Sequence, residues 1–323
     1  MNPPGFWRRE SASILPALLA PAALAYDGLR RLHQATGRPQ KAPIPVICVG
    51  AATVGGAGKT PAAIAIARHL LARGHRPAFV TRGHGGREAG PLQVDPLRHE
   101  AAQTGDEPLL LAAIAPAWVA RDRAAGVAAA ARAGAGLAIL DDGLQNPHVA
   151  KDLSILVIDG EQGFGNGRLL PAGPLREPVA AALARVQAVL LVGEDRAGIA
   201  ARLPPGLPRL AGRIEPAAAS VTALRGRRVA AFCGIGAPEK FRASLGAVGA
   251  ELTAFRAFPD HHRYGEAEIA PFLAHPEVLA VTTAKDHVRL PPGLRDHVAV
   301  LEIALEVADW SPLEPLLART MRR

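Results

Sequence analysis

The chain has 323 residues, of which 49% are hydrophobic and 20% are charged. This length favours two domains, and this composition excludes a chain that is disordered throughout. The formal net charge of +8 suits a phosphate-bearing partner such as a nucleotide, a nucleic acid or an anionic membrane. Because aromatic residues make up only 4% and no basic stripe is interleaved with them, we expect no nucleic-acid partner.

The first feature along the chain is an apolar segment at residues 14–25. It is shorter than the roughly 20 residues that a membrane-spanning helix needs. Basic and aromatic residues lie on its flanks: Trp7, Arg8, Arg9, Tyr26, Arg30 and Arg31. This pattern favours a helix that lies in a membrane interface. The alternatives are an ordinary core helix and a signal peptide, although a nucleotide-binding motif from residue 53 argues against export.

Apolar runs typical of buried strands alternate with alanine-rich stretches typical of helices. The predicted strands are Val46–Val49, Ala78–Val80, Leu137–Leu140, Ile155–Ile158, Val189–Val192, Val229–Cys233 and Val278–Thr282. The predicted helices are Pro61–Arg73, Glu107–Leu111, Arg123–Arg132 and Pro238–Ala247. Continuous apolar strands with intervening helices indicate an α/β fold, in which a parallel sheet like that of P-loop NTPases carries helices on both faces.

Residues 193–228 are rich in proline, glycine and arginine, which is typical of a linker. We therefore predict three parts. They are an N-terminal membrane-associated helix at 1–35, a P-loop core domain at 36–215 and a smaller C-terminal α/β domain at 216–323.

The stretch TVGGAGKTP, residues 53–61, follows the apolar run IPVICVG and has the composition of a phosphate-binding loop. The common pattern begins with glycine, whereas this chain has Thr53. Glycines free backbone N–H groups to point at phosphate oxygens, Lys59 can reach the β- and γ-phosphates, and Thr60 supplies a hydroxyl for Mg²⁺. Pro61 fits the first turn of a helix. A plain glycine-rich strand–helix turn is the alternative.

A phosphate-binding loop also needs acidic side chains at a neighbouring strand end. In the motif LDDGLQ, Asp141 and Asp142 directly follow the predicted strand Leu137–Leu140. The carboxyl ends of parallel strands meet at one edge of a sheet, so these acids can lie near the loop. Two adjacent carboxylates suit Mg²⁺. The alternative is a solvated turn.

Three further stretches carry groups that suit a phosphoryl acceptor site. GDEPLL places Asp106 and Glu107 at a predicted helix start, where the helix dipole alone also favours acids. FPDHHRY brings Asp260 next to His261. The glycine- and proline-rich run GFGNGRLLPAGPLREP, residues 163–178, is either a shaped rigid loop or a surface linker.

Eight motifs occur in a fixed order: TVGGAGKTP, TRGHGG, GDEP, LDDGLQ, GNGRLLPAGPLREP, FCGIGAPEKF, FPDHHRY and TTAKDHVRL. Together they resemble the tetraacyldisaccharide 4′-kinase family, the lipid A 4′-kinases of Gram-negative envelopes. The resemblance extends from about residue 45 to about residue 290, and the apolar N-terminal segment also fits it.

The resemblance implies roles for individual residues. The implied ATP-binding loop consists of Thr53, Val54, Gly55, Gly56, Ala57, Gly58, Lys59 and Thr60. Asp106 corresponds to the proposed base toward the sugar 4′-hydroxyl and is implied to act with His261. Asp141 and Asp142 correspond to the acids near Mg²⁺, and Glu177 resembles a further acid on the Mg²⁺ side.

Four arginines are candidate substrate contacts: Arg82, Arg121, Arg123 and Arg176. The first three are candidates for the 1-phosphate of the lipid, and the resemblance implies that the fourth contacts phosphate. Two positions depart from the family pattern. Ala51 stands where the family has asparagine, and His84 stands where it has the tyrosine of RGYGG, so the role of position 84 is open.

The implied reaction is phosphoryl transfer from ATP, with Mg²⁺, to the 4′-hydroxyl of tetraacyldisaccharide 1-phosphate, which gives lipid IVA. We expect a lipid A disaccharide precursor as partner and no required protein partner. The expected location is the cytoplasmic face of the inner membrane, with peripheral or shallow insertion of the N-terminal helix. Two alternatives share the phosphate loop: a P-loop switch or chaperone-type NTPase acting on a protein, and a soluble small-molecule kinase.

Overall fold

The structure, a computed structural model, describes residues 4–9 and 12–322. Its strands are β1 Val46–Gly50, β2 Pro77–Thr81, β3 Leu92–Gln93, β4 Ala117–Val119, β5 Leu137–Asp141, β6 Leu153–Asp159, β7 Ala188–Val192, β8 Arg209–Pro216, β9 Arg228–Cys233, β10 Glu251–Ala257, β11 Leu279–Thr283, β12 Ala299–Leu301 and β13 Ile303–Val307. All seven strands predicted from apolar runs are confirmed.

Within the described residues, the larger sheet has nine strands in the order β13-β8-β7-β6-β1-β5-β2-β4-β3. The strands from β8 to β4 run parallel, and only the two edge strands β13 and β3 are antiparallel to their neighbours. The central strand β1 pairs with β5, and Val49 lies opposite Asp141. This register puts the loop after β1 beside the acidic end of β5.

Helices cover both faces of this sheet, as the apolar strands predict. The α-helices of the whole described chain, which include those of the smaller sheet, are α1 Leu15–Leu18, α2 Ala20–Thr36, α3 Lys59–Leu71, α4 Ala101–Thr104, α5 Asp106–Ala112, α6 Arg123–Arg132, α7 Val179–Leu183, α8 Ala218–Leu224, α9 Pro238–Ala247, α10 Glu266–Leu273, α11 Ala284–His287, α12 Pro292–Arg295 and α13 Glu314–Met321. Alternate residues of β1 enter two separate cores. Ile47 packs with Ile66 of α3 on one face, and Cys48 packs with Val127 of α6 on the other.

A second sheet of four parallel strands, in the order β10-β9-β11-β12, lies between residues 228 and 301. It has its own buried cores, in which Phe232 and Val281 are fully covered. After β12 the chain returns to the larger sheet, because β13 pairs with β8. The limits 36–215 and 216–323 stay a prediction, but strand pairing assigns Ile303–Val307 to the larger sheet.

The interpretation of residues 193–228 as a linker is wrong for much of the segment. It contains β8, which pairs with β7 in the larger sheet, and α8. In β8 Leu210 is buried while its neighbours Arg209 and Ala211 are exposed. A strand near the sheet edge needs apolar residues only at alternate positions, so it gives no continuous apolar run.

The N-terminal helices carry their large apolar side chains on the outside. Leu18, Leu24 and Leu29 are 67%, 74% and 70% exposed, whereas Ala23 and Asp27 are buried against the rest of the protein. This is the reverse of a core helix, in which leucines face inward. None of the helices in the described part of the chain combines the length and hydropathy needed to cross a bilayer.

Candidate active site

The phosphate loop lies between the buried strand β1 and the helix α3, as the motif predicts. Gly58 precedes α3 in the left-handed conformation, with φ of 81°, which disfavours a side chain there. The Lys59 ammonium donates to the Gly55 carbonyl at 3.4 Å, so the lysine folds back over the loop. The loop thus has the open turn, the lysine and the helix N-terminus that bind a polyphosphate.

Thr60, the second residue of α3, contacts the end of β5. Its hydroxyl donates to Asp141 Oδ2 at 3.0 Å, and both side chains are buried. The other carboxylate oxygen, Asp141 Oδ1, is buried and has no hydrogen-bond partner. Burial, together with the nearby charges of Glu107 and Asp142, raises the pKa of Asp141 to about 7. A buried carboxylate with an unpaired oxygen and a raised pKa would be stabilised by a divalent cation, so Asp141 fits a metal ligand.

Asp142 occupies the next position and faces the lysine of the loop. It adopts a positive φ of 54° and lies 3.8 Å from Lys59 Nζ. Arg176 binds both of its carboxylate oxygens, at 2.8 and 2.9 Å. Two predicted residues, Asp142 and Arg176, are therefore brought together as an ion pair beside the loop.

The glycine- and proline-rich run at 163–178 is a shaped loop that pairs with the phosphate loop. Val54 N–H donates to the Pro174 carbonyl at 2.8 Å, and Arg176 N–H donates to the Ala52 carbonyl at 2.7 Å. Thr53 also forms an isolated antiparallel bridge with Leu175. The backbone of this loop therefore holds the start of the phosphate loop in place.

Glu177 has its own polar partners. It is 1% exposed, accepts a hydrogen bond from Gln145 Nε2 at 2.8 Å and forms an ion pair with Arg185. Within residues 4–9 and 12–322, no hydrogen bond or ion pair joins Glu177 to Thr60 or Asp141. Its carboxylate is already neutralised in this arrangement.

Asp106 is the first residue of α5 and is 7% exposed. The TRGHGG motif packs directly on the backbone that precedes it. A β-carbon at Gly86 would lie 2.5 Å from the Gln103 carbonyl oxygen, so only glycine allows this approach. The motif thereby fixes the start of α5, and with it the position of the Asp106 carboxylate.

His261 comes from the smaller sheet and meets Asp106 across the gap between the two sheets. Its Nδ1 atom lies 3.4 Å from Asp106 Oδ2, and its Nε2 atom lies 3.8 Å from Asp260 Oδ1. The residue has a positive φ of 61°, and its side chain is 58% exposed. The predicted pair of Asp106 and His261 is thus in contact, with the imidazole open to solvent and to a substrate.

A third charged group, Arg289, completes this pair. It forms an ion pair with Asp106, and its Nη2 atom lies 3.1 Å from His261 Nδ1. Burial alone would raise the pKa of Asp106, but Arg289, His261 and Lys285 outweigh it and lower the pKa below its usual value. Asp106 is therefore ionised at neutral pH.

The candidate substrate arginines differ in their surroundings. Arg82 is exposed, and Arg121 is exposed and donates to the Arg87 carbonyl. Arg123 is 6% exposed and donates only to the Ala120 carbonyl, while its Nε atom has no partner. Burial, followed by the charge of Arg82, lowers the pKa of Arg123. Asp142 and Asp141 act on this pKa in the opposite direction, so Arg123 lies in a mixed field of charges.

Sequence reasoning missed Arg289 and Gln145, although both lie in motifs that were recognised. Gln145 donates to the Ala51 carbonyl at 3.0 Å and to Glu177. Their roles depend on which elements meet in space, and a single sequence gives no signal for that. Of the two departures, Ala51 is fully buried and uses its backbone, and His84 is exposed.

Comparisons with known proteins agree with this geometry. Residues 15–322 match the family described as LpxK, tetraacyldisaccharide-1-P 4′-kinase. A tetraacyldisaccharide 4′-kinase of Rhodospirillum centenum is 53% identical over 98% of this chain and 96% of the relative. One of Paramagnetospirillum magneticum is 50% identical over 99% and 98%.

A solved structure shares the whole fold. LpxK from Aquifex aeolicus, in complex with ATP, is 26% identical, covers 95% of this chain and 99% of its own, and superposes with a TM-score of 0.79. The profile match and the two relatives each span nearly the full chain. The chain therefore belongs to the tetraacyldisaccharide 4′-kinase family.

Proposed function

We propose that this protein transfers the γ-phosphoryl group of ATP to the 4′-hydroxyl of tetraacyldisaccharide 1-phosphate, which gives lipid IVA in lipid A biosynthesis. One observation carries the proposal. The helix α3, which begins with Lys59 and contacts the end of β5 through Thr60 and Asp141, packs against α5, which begins with Asp106. The helix of the nucleotide loop and the helix of the proposed base are therefore direct neighbours.

The residues from Thr53 to Thr60 bind the phosphates of ATP. Backbone N–H groups of the loop and the start of α3 point at phosphate oxygens, and Lys59 neutralises charge that develops on the γ-phosphate. Arg176 holds Asp142 beside that lysine. Lys59 and Arg176 are the two cations that we propose to lie beside the transferred phosphoryl group.

The donor set fits Mg²⁺. Asp141 has one buried oxygen without a partner and a raised pKa, and Thr60 shares its other oxygen. When bound, Mg²⁺ would supply positive charge that offsets the negative charge of the phosphates. Thr60 and Asp141 would hold it directly, and Asp142 would orient it. The described residues contain no cluster of three or more acids, histidines or cysteines around one point, which suits an ion that keeps waters and phosphates as ligands.

Asp106 accepts the proton of the 4′-hydroxyl as the sugar oxygen attacks the γ-phosphorus and the bond to the leaving ADP breaks. His261 lies 3.4 Å from Asp106 and can take the proton onward to solvent, because its ring is more than half exposed. Since Asp106 is ionised, it is ready to accept a proton, and a positioned base of this kind contributes about 10²- to 10⁴-fold.

The lipid approaches from the membrane surface. The exposed leucines of α1 and α2 suit the apolar side of an interface, and the arginines around them suit anionic headgroups. Arg82 and Arg123 are the proposed partners of the 1-phosphate, and Arg121 lies in the same loop region. These features support the proposal that the enzyme lies peripherally, or shallowly inserted, on the cytoplasmic face of the inner membrane and requires no protein partner.

Mass spectrometry of the lipid tests the proposal. The purified protein is incubated with tetraacyldisaccharide 1-phosphate, ATP and Mg²⁺, and the product is expected to carry one added phosphate at the 4′ position. ATP hydrolysis that proceeds equally without the lipid, and that persists in Asp106→Ala, would instead indicate an NTPase switch. Transfer to a water-soluble sugar with no transfer to the lipid would indicate a small-molecule kinase.

A further inference from the structure

Arg289 is buried between the two sheets, with its side chain 5% exposed. It donates to four groups: the Gly234 carbonyl at 3.0 Å, Asp286 at 3.1 Å, the Asp106 carboxylate, and His261 Nδ1 at 3.1 Å. The first two acceptors belong to the smaller sheet and its loops, while Asp106 belongs to the larger sheet. One guanidinium therefore connects both proposed catalytic groups to the same two fixed acceptors, the Gly234 carbonyl and the Asp286 carboxylate.

Asp286, the charged acceptor of Arg289 in the smaller sheet, is itself held by hydrogen bonds. Asp286 is fully buried and accepts hydrogen bonds from Tyr264 Oη at 2.8 Å and from Thr283 Oγ1 at 2.6 Å. Both of its oxygens are thus held before Arg289 binds. Because the guanidinium is planar, its bond to the Asp286 carboxylate on one side fixes the directions in which its other N–H groups point, toward Asp106 and His261.

The contact with His261 determines which nitrogen carries the ring proton. A guanidinium can only donate, so His261 Nδ1 must accept with its lone pair. The neutral ring then has its hydrogen on Nε2, the side of Asp260. Nδ1 is also the atom 3.4 Å from Asp106, so its lone pair is held by Arg289 directly beside the proposed base.

We propose that Arg289 is a positioning residue that holds the Asp106 carboxylate beside His261 and keeps the imidazole in its Nε2–H form. This rests on the proposed function. The hydroxyl proton passes to Asp106 as the new O–P bond forms and the bond to ADP breaks. It then leaves for solvent, and it reaches Nδ1 only when the Arg289 hydrogen bond to that atom opens. Asp106 returns to its carboxylate form, paired with Arg289.

The pH dependence follows from the groups that face the pair. Asp106 faces Arg289, His261 and Lys285, all from the smaller sheet and its loops. His261 faces Asp106, Asp260 and Arg289. Removal of Arg289 takes away the largest attraction that lowers the pKa of Asp106, so the acid limb of kcat should move to higher pH.

The test compares Arg289→Gln and Arg289→Lys with the wild type. Arg295→Gln is a matched control, because the Arg295 side chain, among the residues that the structure describes, donates to the backbone carbonyls of Leu290 and Val288 and to no catalytic candidate. Thermal unfolding establishes that each variant folds, and Arg289→Lys, which keeps the charge, secures a folded variant. Activity is measured with the lipid acceptor across pH, and ¹⁵N spectra of the histidine rings, assigned with His261→Asn, report the tautomer.

We expect Arg289→Gln to lower kcat by about tenfold to a hundredfold, since small misplacements of catalytic groups have effects of this size. The KM for ATP should stay unchanged, the acid limb should move up, and the Nε2–H form of His261 should lose its dominance. The kcat of Arg289→Lys should lie between those of Arg289→Gln and the wild type, because an ammonium cannot make all four contacts. The kcat of Arg295→Gln should match that of the wild type.

A folded Arg289→Lys protein with wild-type kcat, pH profile and His261 tautomer would overturn the proposal. So would a His261 ring that carries its proton on Nδ1 in the wild type. An inactive wild-type protein, in contrast, would count against the proposed function itself, because the inference concerns only differences between active variants.

Discussion

Two buried aspartates at this edge of the sheet have pKa values that move in opposite directions. Burial and two neighbouring acids raise the pKa of Asp141 to about 7. Asp106 is also buried, yet the cations around it, above all Arg289, lower its pKa. The two directions fit the proposed roles. Mg²⁺ would supply the positive charge that the buried Asp141 carboxylate needs, whereas Asp106 must stay ionised to accept a proton.

Asp141→Asn should stabilise the metal-free protein at high pH. A raised folded-state pKa means that ionisation of Asp141 opposes folding, and this penalty grows between its usual pKa and about 7 and is complete above that pH. The variant should gain roughly 2 to 4 kcal/mol in free energy of unfolding at pH 8 and little at pH 4. Urea unfolding at both pH values checks this, and an equal gain at both would contradict it.

Asp106→Asn should lower kcat by about 10²- to 10⁴-fold, with the KM for ATP unchanged, because it removes the base and leaves the phosphate loop intact. His261→Asn should cause a smaller loss, since solvent can also take the proton. Asp309→Asn is the control, because that exposed aspartate only caps a turn through Ser311. Steady-state kinetics with lipid acceptor decide the matter. Equal kcat values in Asp106→Asn and Asp309→Asn would refute the assignment.

At the scale of elements, α2 is built with its leucines outward and its polar contacts inward. Tyr26 donates to the Arg176 carbonyl at 3.0 Å, and Gln34 donates to the Gln145 carbonyl at 2.7 Å. The helix is thus hydrogen-bonded to the loops that flank the phosphate site. In the proposed membrane-bound arrangement, a helix fixed in this way would set the height of the active site above the lipid surface.

The triple variant Leu18→Gln, Leu24→Gln, Leu29→Gln should bind vesicles of anionic phospholipid more weakly. These side chains are at least 67% exposed, so the change removes apolar surface from the interface without opening the core. Co-sedimentation with vesicles measures the bound fraction. Leu97→Gln serves as the matched control, because Leu97 is 96% exposed and lies far along the chain. Undiminished binding of the triple variant would show that another surface meets the membrane.

At the scale of the whole molecule, two ion pairs join the sheets beside the proposed site. Arg289 pairs with Asp106, and Lys285 lies 3.6 Å from Glu107. Both cations follow β11 of the smaller sheet along the chain. Both acids are at the start of α5, a helix that packs on the larger sheet. The two sheets must therefore be docked for the acid–imidazole pair to exist, so the catalytic geometry depends on the complete molecule.

ATP should stabilise the folded protein through the phosphate loop. With free ATP at one hundred times its dissociation constant, the free energy of unfolding should rise by about 2.7 kcal/mol. Lys59→Met should lose most of this gain, because it removes the cation at the β- and γ-phosphates, whereas Lys41→Met, at an exposed position before β1, should keep it. Thermal unfolding with and without ATP measures the effect. An equal ATP-induced shift in both variants would place the nucleotide elsewhere.

The sequence by itself determined the parts that local chemistry encodes. Buried parallel strands are continuous apolar runs, so β1, β5 and β6 were predictable, and the glycine-rich turn with Lys59 marks a phosphate loop without reference to the rest of the chain. Weakly patterned elements such as β8 and β13 were missed, because strands at or near a sheet edge bury only alternate residues and do not give a continuous apolar run.

Only the tertiary structure decided which charges meet. Asp106 and Arg289 are 183 residues apart, and nothing local links them. Glu177, predicted as an acid on the Mg²⁺ side, is paired with Arg185, because the same loop that brings Arg176 to Asp142 takes the next side chain to Gln145 and Arg185. Pairing of buried charges depends on distances of a few ångströms across different elements, and a sequence specifies those distances only through the complete fold.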